Sequence, residues 1–148
     1  MSVKVNVVPP SAALLQGWEE LAERAAPNVF MHPATLTAAH AGGFADISIL
    51  AATDSASSRL VGLWALQTKR VASIWPTFLS GPPYPYAFVS NPVADAERVE
   101  EVTAALLDAI STHAILPHVL RLHHLDADCA TYPALLQDPR VFFPVEAP

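Results

Sequence analysis

Glycine is scarce. Gly17, Gly42, Gly43, Gly62 and Gly81 are the only five in 148 residues, and no two stand in a phosphate-cradling spacing. A GxGxxG turn or a GxxxxGKS/T loop relies on glycine so that backbone N–H groups can approach phosphates ahead of a helix N-terminus. Neither can be written anywhere in the chain. Cysteine is nearly absent too: Cys129 stands alone, which excludes an intrachain disulfide and a CxxC metal or redox pair, and it reads as a small core residue. Positive charge is thin, with eight Lys plus Arg against fourteen Asp plus Glu and a net charge of −6. With no basic cluster, a nucleic-acid backbone finds nothing to hold. No apolar run reaches the roughly 20 residues of a membrane-spanning helix, and the opening MSVKVNVVPP lacks the apolar stretch of a signal peptide. The expectation is a cytoplasmic protein with neither a membrane nor a nucleic acid as partner.

What is present is apolar. Hydrophobic residues make up 52% and charged residues 15%, whereas an ordinary soluble domain carries about 25% charged residues. Too few charges to cover a free surface points to an apolar face held against another domain or another copy of the chain; exposed Ala and Pro are the alternative explanation. A chain of 148 residues is the size of one domain and buries about 70% of the surface that it exposes unfolded. The expected organisation is one domain over 1–140 and a proline-rich connector over 141–148.

Ser11 is placed to cap a helix over 12–26, in which Leu14, Leu15, Trp18, Leu21, Ala22 and Ala25 recur at helical spacing and Glu19, Glu20 and Glu23 face water. Pro33 suits the first turn of a second helix over 33–41, stopped by Gly42-Gly43, with Phe30 and Met31 as plugs into the core between the two. Residues 47–53 and 60–68 read as a hairpin around the polar turn Asp54–Ser58. A third strand is expected over 71–79, a proline-rich loop over 81–86, and a short strand over 87–90. Asp95 is placed to cap a long helix over 96–113. Residues 118–125 alternate as a strand, and 129–137 form a last short helix. This order gives an α/β (α+β) layer arrangement with a mixed, mostly antiparallel sheet flanked by helices.

Several segments together carry a family likeness: Trp18-Glu-Glu-Leu21; Asn28-Val-Phe30-Met-His-Pro33; Ile49-Leu-Ala-Ala52; Leu60-Val-Gly-Leu63 with Ala65-Leu66-Gln67; and Leu120-Arg-Leu122. The chain resembles, over most of 10–140, the N-terminal lobe of GNAT-like acyltransferases of the cellulose-biosynthesis and FemAB type. In that superfamily an Arg/Gln-x-x-Gly-x-Gly/Ala turn presents backbone amides to the pyrophosphate of acyl-CoA, and this sequence has no match to it. In the two-lobed relatives that turn belongs to the C-terminal lobe, which is expected to begin near where this chain stops. The resemblance therefore implies acetyl-CoA or acyl-CoA as the cofactor of the pair, carries no catalytic residue onto a position here, and implies a lobe that is non-catalytic alone.

His113, His118, His123 and His124, followed by Asp126 and Asp128, are the densest group of potential metal ligands. Their spacing matches no established pattern, and adjacent strand residues such as His123 and His124 point to opposite faces. They are read as structural or surface residues rather than a metal site. Trp75, Phe78, Tyr84, Tyr86 and Phe88 surround the proline-rich loop, and although core packing explains rings there, a substrate-binding groove would be lined by Trp75, Tyr84 and Tyr86. Lys69 or Arg70 supplies positive charge beside it. Ser80, His124 and Asp126 assemble a nucleophile only on paper, without a GxSxG elbow. Arg121, inside an apolar run, is read as exposed; buried, it would need Glu19 or Asp108.

Three functions compete: an acyltransferase lobe that contributes substrate-side or packing surface to a second GNAT-like lobe; a stand-alone homo-oligomeric binding module; and a complete small acyltransferase with an atypical cofactor turn at Ser80-Gly81 or Pro92–Asp95. An exposed apolar sheet edge or face discriminates for the first.

Overall fold

The computed structural model describes residues 2–26, 28–70, 77–81 and 89–142. The chain opens with a strand that the sequence reading passes over, β1 (Val3–Val8), in which Val3, Val5 and Val7 are half-buried while Lys4 and Asn6 are exposed. It pairs antiparallel with β2 (Ile47–Asp54), from Val3↔Asp54 to Val8↔Ile49. β2 in turn pairs antiparallel with β3 (Leu60–Lys69), the hairpin expected from the sequence. A register shift at Ala52/Thr53 adds one residue on β3, so that Gly62 faces one side of the sheet and Leu60 the other.

That bulge suits both helical layers. On one face lies α3 (Val99–Thr112), which packs against β1, β2 and β3 through Val102, Leu106 and Ile110. A Cβ at Gly62 would fall 2.3 Å from Cγ1 of Val102, so the strand–helix approach depends on glycine there. On the other face lies α1 (Leu15–Ala22), which buries Trp18 and Leu21 and meets Leu60 through Gly17. α1 is entered by a 3-10 turn, Ala12–Leu14; Ser11 is extended and its side chain makes no capping hydrogen bond, so it does not cap the helix. The helix also ends at Ala22, short of 26, in a tighter turn whose Arg24 amide donates to the Leu21 carbonyl, and beyond it the Arg24 carbonyl accepts from the Ala96 amide.

A second 3-10 turn, Val29–Met31, leads into α2 (Pro33–Ala41). The Asn28 side chain accepts from the Phe30 amide, the His32 side chain caps α2 by accepting from Ala34, and Gly43 leaves the helix at φ +71°. Met31 is a fully buried plug, whereas Phe30 is half-buried.

The far edge of β3 meets two short strands. β5 (Val93–Ala94) pairs antiparallel at Gly62–Leu63, and β4 (Phe78–Ser80) pairs antiparallel at Gln67–Lys69. β6 (Leu120–Arg121) then lies parallel to β4, giving the order β1-β2-β3-β4-β6 in a mixed, mostly antiparallel sheet flanked by helices. α4 (Thr131–Gln137) packs on α3.

Three further expectations are corrected. Asp95 does not cap α3, which begins at Val99 with Arg98 in the cap position; the Asp95 carboxylate accepts instead from Arg24 and from the Glu97 amide. The strand expected over 118–125 is only two residues long, because the backbone turns to φ +58° at His124, whose carbonyl accepts from the Ser90 amide. Val89 and Ser90 are not in a strand; Ala87 and Phe88, like most of the strand expected over 71–79, lie outside the described residues.

Candidate functional site

Between β4 and β5, the edge of β3 at Trp64–Leu66 is paired by no strand among the described residues. Buried backbone polar groups require partners, and here side chains supply them. The Ala65 amide donates to Sδ of Met31 at 3.3 Å, and the Trp64 indole N–H donates to the Ser90 carbonyl at 2.9 Å. The thioether is a weak acceptor, but it is fully buried and brought to the gap by the connector between α1 and α2.

The segment 89–92 is fixed at this gap by three further side chains, and a fourth holds Ser80 and Gly81 beside it. Asn28 donates to the carbonyls of Val89 and Asn91 at 3.1 and 3.2 Å. Asn91, fully buried, donates to the Asp126 carbonyl and accepts from the Asp126 amide at 2.7 Å. The Thr131 hydroxyl donates to the Pro92 carbonyl, and Gln67 donates to Ser80 Oγ and the Gly81 carbonyl. Gly81 and Ser90 touch: a Cβ on Gly81 would lie 2.3 Å from Oγ of Ser90. Residues 80–81 and 89–92 thus meet at a neck of satisfied polar groups.

Trp75, Tyr84 and Tyr86, the sequence-derived substrate residues, lie outside the described residues, while Phe78 starts β4 and is half-buried. The nucleophile arrangement fails: the Ser80 hydroxyl donates to the Gly81 carbonyl while accepting from Gln67, and Asp126 accepts from the Asp128 amide. At the atypical cofactor turn Pro92–Asp95, Val93 and Ala94 pair with β3 and the Asp95 amide donates to the Val61 carbonyl, so the Asp95 amide is not free to cradle a phosphate, and Pro92 has none. Among the described residues no three His, Cys, Asp or Glu side chains come together as a metal site. His113 accepts from the Ile115 amide, and His118 contacts the His113 carbonyl at 3.0 Å. Arg121 is exposed, as expected. Cys129 is only half-buried and its sulfur sits 3.2 Å from the Thr131 hydroxyl, so it is not a core residue.

Sequence reasoning missed Asn28, Gln67 and Asn91 as organisers of the neck. Asn28 and Gln67 enter the sequence reading only as parts of segments that carry the family likeness, and Asn91 carries no local signal.

Charge is arranged differently at the two ends of β3. At the hairpin end, Arg98 forks onto Glu101 and reaches Asp54 at 2.8 Å, while Arg24 pairs with Asp95 at 2.8 Å and donates to the Leu60 carbonyl. Hydrogen bonds from Ser57 and Arg98 hold the Asp54 carboxyl at a pKa of about 2. Burial works to raise Asp95, but the Arg24 and Glu97 hydrogen bonds outweigh it and keep this carboxyl below its ordinary value. At the other end Lys69, Arg70 and Arg121 are exposed and form no ion pair with any described residue.

No helix among the described residues is long and apolar enough to cross a membrane. No protein-family model matches the chain, and no curated protein matches it. The structure is similar to that of a Trypanosoma brucei acetyltransferase, with a TM-score of 0.49 and 16% identity over 82% of each chain. A likeness of that degree transfers no activity, and the fold class rests on the strand order itself.

Proposed function

We propose that this chain is a GNAT-like acyltransferase lobe, non-catalytic alone, that contributes substrate-side or packing surface to an acyl-transferring partner lobe. The carrying observation is the β6 edge. Among the described residues this two-residue strand has a neighbour on one side only, and in the stretch that leads into it Ile115 and Val119 are 86% and 59% exposed. The opposite edge strand, β1, presents Lys4 and Asn6, and a charged edge resists strand addition. β6 itself carries the exposed Arg121, so the part of this edge suited to packing against a second lobe is the exposed apolar stretch that leads into it. The segments that carry the family resemblance fall on α1, the α1–α2 connector, β2, β3 and β6, the elements that build the sheet and its α1 layer. In this reading Trp75, Tyr84 and Tyr86 belong to the substrate-side surface, and acyl-CoA is bound chiefly by the partner lobe.

The same β6 edge also serves the second reading, a homo-oligomeric module in which another copy closes it. Incubating the chain alone with acetyl-CoA and a panel of amines, and following thiol release, tests the enzymatic half of the proposal. Release at the uncatalysed rate is expected; sustained turnover by the isolated chain would overturn the non-catalytic assignment.

A further inference from the structure

We infer that Lys69, Arg70 and Arg121 form a binding site for a phosphate-bearing anion at the β4–β6 end of the sheet. Of the eight cations in the chain, Arg24, Arg98 and Arg140 are held by carboxylates, and Lys4 and Arg59 stand exposed at the hairpin end without an ion pair among the described residues. Lys69, Arg70 and Arg121 are exposed and hold no carboxylate among the described residues.

The sheet register brings Lys69 and Arg121 to one corner. Lys69 stands opposite Phe78, and Ser80 stands beside Arg121, so Lys69, Phe78, Ser80 and Arg121 share the face of the sheet on which α1 lies. Lys69 and Arg121 are two strands and two residues apart, about 12 Å between Cα atoms from ordinary strand spacing. Two long side chains span that distance onto one anion. Arg70 follows directly where β3 ends. Gln67 and Ser80 continue the row behind Arg121 as buried polar residues whose hydrogen bonds fix the floor of the corner.

The chemistry favours phosphate. An unpaired guanidinium presents a planar fork to two phosphate oxygens, and an ammonium adds a point charge. The chain as a whole is at net −6 and repels anions, so a local group of unpaired cations focuses them here. Asp46, whose carbonyl accepts from the Thr68 amide, is the acidic residue on β2's side of this corner, and Asp126 and Asp128 follow β6. Asp46 opposes the site, and Asp46→Asn is expected to tighten it.

This site goes beyond the lobe reading, since it requires anion binding and not acyl transfer. The test is a titration with inorganic pyrophosphate at low salt, followed by amide chemical shifts or calorimetry. Saturable binding is expected, with shifts at 69–70 and 120–122, weakened about tenfold or more when Lys69→Gln, Arg70→Gln and Arg121→Gln are combined. Lys4→Gln with Arg59→Gln, two exposed cations at the hairpin end, is expected to leave it unchanged. Parallel titrations with CoA and dephospho-CoA separate the sources: weaker binding of dephospho-CoA assigns the corner to a phosphate monoester, and equal binding, with pyrophosphate competing, assigns it to a diphosphate. All three substituted residues are exposed, so circular dichroism is expected to report an intact fold. No saturable pyrophosphate binding, or binding that survives the triple substitution, would overturn the site and leave the lobe reading standing.

Discussion

Arg98 and Arg121 are the same residue type at opposite ends of one sheet, and they do different things. Arg98 is largely buried, forked onto Glu101 and bound to Asp54, and it ties the N-terminus of α3 to the β2–β3 turn. Arg121 stands exposed on an edge strand with no carboxylate in reach among the described residues. A cation already satisfied by the fold is structural; one that the fold leaves unsatisfied is available to a ligand. Residue type alone does not separate the two, because the partners come from distant parts of the chain: Arg98 and Asp54 are 44 residues apart, and Arg24 and Asp95 are 71 apart.

The largest expected effect lies at the hairpin end. Asp95→Ala removes the partner of Arg24 from a carboxylate site only 4% exposed, and breaking such a pair should cost about 3 kcal/mol, read as a fall in urea midpoint. A loss no larger than that of a surface substitution would remove the distinction between the two ends. Asn91→Ala comes next. It leaves the Asp126 amide and carbonyl without their side-chain partner, and about 2 kcal/mol is expected, accompanied by faster exchange of the amides at 89–92.

Acid titration sharpens the comparison from the hairpin end. Because the Asp54 pKa is lowered from 3.8 to about 2 in the folded state, its contribution is present in full above about pH 4 and is lost as pH falls toward 2. Stability should therefore decline through that window, and Asp54→Asn should make the decline shallower; an unchanged slope would show that Arg98 and Ser57 do not hold the carboxylate in solution. Smallest of all, Lys69→Gln and Arg121→Gln should change stability by less than about 0.5 kcal/mol each. A larger loss would mean that these cations are part of the scaffold.

Much of the scaffold is legible along the chain. The β2–β3 hairpin announces itself through two apolar runs around a polar turn, and α2 through Pro33 at its start and Gly42-Gly43 at its end. β1 is missed although VKVNVV alternates, because six residues before Pro9-Pro10 bury only half of each valine, and the strand exists only once β2 lies alongside it. Asp95 carries a helix-cap signal, yet a guanidinium from 71 residues away competes for its carboxylate. The neck around segment 89–92 is the least legible part. Asn28 finds its acceptors 61 and 63 residues on, Met31 its donor 34 residues on, and Asn91 its partner 35 residues on. An asparagine that satisfies remote backbone looks, in sequence, like one facing water.

The most direct test of the lobe assignment is amide hydrogen exchange across 118–122, measured on the chain alone together with its mass in solution by light scattering. A lobe awaiting a different partner should be a monomer in which the β6 amides facing away from β4 exchange rapidly. A stable dimer with those same amides protected would contradict it and make the chain a module that completes its sheet with a second copy of itself.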